Sequence, residues 1–100
     1  MYQKLLTKED IKSLPPLYSQ ENIADPVIPV KFFTPWTNWT WYATEYDPEE
    51  RLFFGLVDGL EKEFGYFSLA ALESIKGPYG LKIERDMHWN RNTKLSTIKR

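Results

Sequence analysis

Ile83-Glu84-Arg85-Asp86, with His88 two positions on, is the densest group of reactive side chains in this sequence. A carboxylate pair beside an imidazole is a donor set that can bind a divalent cation or act as acid and base. On a strand, however, Glu84 and Asp86 project from one face and Arg85 from the other. The same run therefore fits an ion pair that anchors a strand, with Arg85 reaching an acid such as Glu45 or Asp58. Asp58 would join a catalytic pair only if the fold set it beside Glu84. As an Asp58-Gly59 step it reads as a turn, in which the carboxylate accepts from backbone amides and glycine supplies positive φ. The glycines of Gly77-Pro78-Tyr79-Gly80 are followed by no Lys-Ser or Lys-Thr step, so they read as a helix cap and a turn and not as a phosphate loop. The chain has no cysteine and one histidine, which excludes disulfides, thiolate zinc, thiol nucleophiles and a multi-histidine metal site within one chain. These residues define no catalytic set, no metal site and no cofactor site.

Binding has more material than catalysis. Trp36 falls in a turn and Trp89 beyond the last strand. Near Lys31, Arg91 or Lys94 such rings could stack the bases of a single strand, anchor a protein partner, or simply pack in the core. From residue 45 to 63, Glu45, Asp47, Glu49, Glu50, Asp58, Glu61 and Glu63 are opposed only by Arg51 and Lys62. This is either a charged contact for a partner or a solvated loop region. From Arg91 to Arg100 the bases Arg91, Lys94, Lys99 and Arg100 stand without an acid, so nucleic-acid contact would run through this basic tail. The formal net charge of −1 argues against a protein that coats nucleic acid.

These side chains must be positioned by one small domain, because 100 residues close only one hydrophobic core. We place it at residues 1–90, with residues 91–100 as the basic C-terminal tail. Four Trp, six Tyr and six Phe supply the area to offset chain entropy. No segment approaches the roughly 20 apolar residues of a membrane span, and Met1 to Leu6 has no signal-peptide run, so a cytoplasmic location and no membrane contact are expected.

Thr7 with Glu9 and Asp10 reads as the N-cap and acidic first turn of a short helix that Pro15-Pro16 stops. Val27 to Phe33 reads as a strand, at an edge because of Pro29. Trp39 to Tyr46 reads as a second strand, with Trp39, Trp41 and Ala43 on its core face. Arg51 to Val57, nearly continuous in apolar residues, reads as a central strand that buries Phe54 completely. Phe64 to Phe67 is a fourth strand, ending at Ser68, the cap of a helix with Leu69, Leu72 and Ile75 on its buried stripe. Leu81 to Asp86 is a possible fifth. The sum is an α+β domain: an antiparallel sheet of four to five strands packed by two short helices.

Several stretches occur together in one family: Lys31-Phe32-Phe33-Thr34-Pro35, Asn38-Trp39-Thr40-Trp41-Tyr42, Phe53-Phe54-Gly55-Leu56-Val57-Asp58-Gly59, Gly65-Tyr66-Phe67-Ser68-Leu69, and Gly77-Pro78-Tyr79-Gly80-Leu81 running into Ile83-Glu84-Arg85-Asp86. The chain resembles a family of small bacterial proteins, often carried on plasmids, phages and integrative elements, that bears only a domain-of-unknown-function label. Members often have a longer insertion after Glu45-Tyr46, where this chain has a tight turn. The resemblance brings no chemistry, but it implies a mobile-element setting. The leading expectation is a non-enzymatic accessory protein that binds a host or element macromolecule, with a host defence complex of the restriction or CRISPR type, modulated or inhibited through the acidic region, as the expected target. The alternative is a binder or metal-dependent cleaver of single-stranded nucleic acid, with Glu84, Asp86 and His88 at the chemistry.

Overall fold

The computed structural model describes residues 4–98. Its elements are α1 (Lys8–Ser13), β1 (Val30–Phe33), β2 (Thr40–Asp47), β3 (Leu52–Asp58), β4 (Lys62–Ser68), α2 (Leu69–Ser74) and the two-residue β5 (Glu84–Arg85). The strands form one antiparallel sheet in the order β4-β3-β2-β1-β5. The expected α+β class is therefore the observed one.

Local chemistry sets the helix starts. Thr7 Oγ1 accepts from the Asp10 N–H at 3.2 Å while the Asp10 carboxylate accepts from the Thr7 N–H at 2.8 Å, a reciprocal capping box. Ser68 caps α2 by accepting from the Ala71 N–H. Leu5, Leu6 and Leu14, which bracket α1, and Leu69 and Leu72 of α2 cover one face of the sheet, packing on Val30, Phe32, Trp41, Ala43, Tyr46 and Phe53. Ile75 instead ends α2 as its C-cap and stays exposed.

Three strand expectations need correction. β1 begins at Val30 and lies between β2 and β5, so it is no edge. Pro29 sits just before the strand, where its missing N–H costs no ladder bond, and its carbonyl accepts from Arg91. Trp39 is half-exposed, because it precedes β2 and lies over the β3–β4 turn, with its ring against Gly59 and beside Trp41. The residue at the centre of β3 is Phe53, fully buried among Phe32, Tyr46 and Phe67 at centroid distances of 5.3, 4.5 and 5.2 Å. Phe54 points to the second face and is only half-buried.

That second face is covered in part by the segment after Trp89. Leu95 is buried against Ile28, Tyr42 and Leu56, with Trp89 and Ile98 packed beside it. The segment is tied down by the Ile28 N–H on the Thr93 carbonyl (2.8 Å), the Leu95 N–H on the Pro26 carbonyl (2.9 Å), and Asp25, which accepts from both the N–H and the hydroxyl of Ser96. Residues of this C-terminal segment, Leu95 and Ile98, thus supply part of the second core cluster. Lys99 and Arg100 lie outside the described residues.

Phe53→Ala should cost about 3–5 kcal/mol, the range for a buried aromatic, and Phe54→Ala clearly less. Chemical denaturation of both variants checks this. Equal losses, or the larger loss at Phe54, would reverse the assignment of the two faces.

Candidate functional site

The fold takes the sequence's reactive cluster apart. Arg85, opposite Phe32 in the β5–β1 pair, turns to the helical face and bonds the Asp10 carboxylate at 3.2 Å and the carbonyls of Lys4 and Leu5 at 3.2 and 3.1 Å. Its acid is therefore Asp10, and not Glu45 or Asp58. Asp10 is 1% exposed and also accepts from Arg91 at 2.8 Å. Asp86 pairs with Lys31 at 3.7 Å and accepts from the His88 N–H, which fixes a turn and leaves His88 exposed. Asp58 lies on β3, with β2 and β1 between it and Glu84 on β5, a separation of roughly 14 Å at the usual strand spacing. Among the described residues, no group of three or more His, Asp and Glu side chains could hold a metal ion.

The two tryptophans singled out by position are packing residues on one side at least. Trp36 lies against the helical core with Gly77 on its ring, where a Cβ would come within 2.5 Å. Trp89 donates its indole N–H to the Ile28 carbonyl at 2.7 Å and carries the Lys31 ammonium 5.1 Å from its ring centroid. Of the tail's bases, Arg91 is drawn into the fold by Asp10, Ser13 and the Pro29 carbonyl.

The acidic region gathers around the β3–β4 hairpin. Asp47, Glu49 and Glu50 stand at its β2–β3 end, where Asp47 accepts from the Glu49 N–H. Asp58, Glu61 and Glu63 stand at or near the β3–β4 turn, and Glu49, Glu50, Glu61 and Glu63 are exposed. Between the two ends lies an aromatic patch that sequence reasoning missed: Phe54, Phe64 and Tyr66, with Tyr18 from the loop that precedes β1. The Phe54 ring is 5.0 Å from Tyr66 and 6.2 Å from Phe64, and Phe64, Tyr66 and Tyr18 are all exposed.

Glu45 explains why Tyr18 is there. Strict alternation along β2 would put Glu45 on the Trp41–Ala43 face, but the register shifts between Ala43 and Glu45. That bulge moves Glu45 opposite Phe54 on the second face. Beside the bulge, β2 and β3 approach so closely that a Cβ at Gly55 would lie 1.9 Å from the Tyr42 carbonyl oxygen. Buried there, Glu45 accepts from the N–H groups of Tyr18 and Gln20, both at 2.8 Å. Gln20 locks the same loop through the Thr44 carbonyl at 2.7 Å and the backbone of Val27. Tyr18 is held at φ 71°, a left-handed conformation that costs a non-glycine residue roughly 1 kcal/mol. Its hydrogen bond with Tyr66 is the first cause that pushes the Tyr66 phenol above its usual pKa, followed by burial and the charges of Tyr18, Glu45 and Glu21.

The fold and this surface define a small α+β domain that carries an exposed aromatic patch. The chain belongs to the family described as protein of unknown function (DUF2958), whose model matches residues 5–100. No curated protein and no solved structure matches it. No helix among the described residues is long and apolar enough to cross a membrane.

The raised Tyr66 pKa favours the neutral phenol in the folded state. That contribution is fully present below about pH 10, the unfolded tyrosine value, and is lost as pH rises through the folded value. Tyr18→Phe should bring the Tyr66 transition back toward the ordinary range, and Glu45→Ala should do the same while costing about 2–3 kcal/mol through two charge-assisted hydrogen bonds. Ultraviolet pH titration of the phenols reads the first effect and denaturant unfolding the second. A Tyr66 transition unmoved in both variants would contradict the assembly of this patch.

Proposed function

We propose that the chain is a non-enzymatic protein-binding domain whose contact surface is the Tyr18, Phe54, Phe64 and Tyr66 patch with its acidic margins. The observation that carries this reading is the preorganisation of the patch: the sheet fixes three rings, and a buried carboxylate holds the fourth in a conformation the backbone disfavours. Exposed aromatics on a rigid support are the usual anchors of protein interfaces, because they contribute area without losing much side-chain freedom on binding. Exposed carboxylates at both ends of the hairpin favour a partner with basic groups and disfavour phosphate.

The mobile-element setting implied by the family resemblance makes a host or element macromolecule the class of partner. A host defence complex of the restriction or CRISPR type is the specific target proposed, and the cytoplasm the compartment. Single-stranded nucleic-acid binding or cleavage has less support, since Glu84, Asp86 and His88 do not converge and Arg91 is already engaged by Asp10.

Capture from a bacterial lysate with tagged wild type and with a Tyr66→Lys variant tests the reading. The expected result is a host protein retained by wild type and lost with the variant at unchanged melting temperature. Wild type should also raise phage plating on a strain protected by the captured complex. Salt-steep micromolar binding of a labelled single-stranded oligonucleotide, or its cleavage, would overturn the proposal.

A further inference from the structure

The hairpin that follows α2 breaks two local rules at once. Tyr79 has φ 57° and ψ 28°, and Gly80 after it has φ 75°. Two consecutive positive-φ residues are the signature of a type I′ turn, whose first central position favours Asn, Asp or Gly. The Leu81 N–H closes the turn on the Pro78 carbonyl at 3.0 Å. A tyrosine there carries a steric cost that its own side chain does not offset. Its side chain is 100% exposed, and among the described residues it makes no hydrogen bond, ion pair or ring contact. At the base of the turn Lys76 and Lys82 form an antiparallel bridge, which sets two like charges directly opposite each other, an unfavourable pairing.

The same hairpin is rigid. Gly77 donates to the Leu81 carbonyl at 2.7 Å and packs on the Trp36 ring, and Pro78 fixes the backbone at the turn's entry. Exposed Leu81 and Met87 border it along a shallow groove beside Ile83. A stiff projection that sacrifices local stability for an exposed ring and two lysines is arranged for contact, because folding alone would place Asn at the tip and an acid opposite one lysine.

We infer that the Lys76–Lys82 hairpin is a second interaction element that inserts Tyr79 into an apolar pocket of a protein partner, with Lys76 and Lys82 meeting acidic groups on the pocket's rim. The inference rests on the reading of the chain as a protein-binding domain but uses a surface separate from the Tyr18–Tyr66 patch. Protein is favoured over nucleic acid because the chain's formal net charge is −1 and the groove sets Glu73 and Glu84 beside Lys82 and Arg85, of which Arg85 is already held by Asp10.

The test uses the full chain with a photo-crosslinking phenylalanine analogue, p-benzoylphenylalanine, at position 79, irradiated in a bacterial lysate. Excess untagged wild type, Tyr79→Asn, or Lys76→Glu with Lys82→Glu serves as competitor. The expected result is a discrete, protease-sensitive product that wild type abolishes and that neither variant reduces by more than about a tenth of the wild-type effect. Tyr79→Asn should meanwhile melt at or a few degrees above wild type, since asparagine suits the left-handed position. Competition by Tyr79→Asn equal to that of wild type would overturn the inference, as would a crosslinked product sensitive to nuclease and not to protease. No competable product from position 79, with capture through Tyr66 intact, would sink the hairpin element and leave the proposed function standing.

Discussion

One buried carboxylate closes this fold. Asp10 accepts from the Thr7 N–H within its own helix, from Arg85 on β5 and from Arg91 in the C-terminal segment, and so joins residues about eighty positions apart in the chain. Burying a carboxylate costs several kcal/mol, which is recovered only when its partners are well placed and its lone pairs filled. Here the arginines are satisfied too: Arg85 also donates to the carbonyls of Lys4 and Leu5, and Arg91 to Ser13 and the Pro29 carbonyl. Among the described residues no buried polar side-chain atom lacks a partner. Both ends of the described chain are thereby pressed on the sheet, one on each face.

That closure decides what remains available for contact. With residues 89–98 fastened over Ile28, Tyr42 and Leu56, the uncovered part of the second face is the β3–β4 hairpin and its rings. A second buried carboxylate, Glu45, then finishes the surface by holding the loop that carries Tyr18. The two acids act by the same physics on different jobs, one fixing the chain ends and the other fixing the loop beside the exposed aromatic patch. Both reduce the freedom that a binding event would otherwise have to remove.

Features set by neighbours in the chain were legible in the sequence: the Thr7 and Ser68 caps, the Pro15-Pro16 stop, the five strands in order and the α+β class. Features set by distant partners were not. Asp10 reads locally as a first-turn acid, and nothing near it announces Arg85 or Arg91. Arg91 reads as part of a solvated basic tail because its ion pair lies across the domain. Alternation places Trp41 and Ala43 on the core face of β2, but the bulge after Ala43 turns Glu45 toward Tyr18 with no mark in the local pattern. The continuous apolar run of β3 does not distinguish the buried Phe53 from the half-buried Phe54. Gly55 was the available signal, as a glycine inside an apolar strand marks close backbone approach. The candidate site was legible only at its acidic margins, since its rings come from the chain's exposed aromatics, which in sequence look like any core residue.

The most direct test of this account is a double-mutant cycle on the pair at its centre, with Asp10→Asn, Arg85→Met and the double variant unfolded in guanidinium chloride. Because both side chains are largely buried, at 1% and 13% exposure, each single change should be strongly destabilising, and the two should be coupled by about 2 kcal/mol or more. Single losses that add to within about 0.5 kcal/mol in the double variant would mean that Asp10 and Arg85 do not act as a unit, and would contradict the claim that this carboxylate closes the fold.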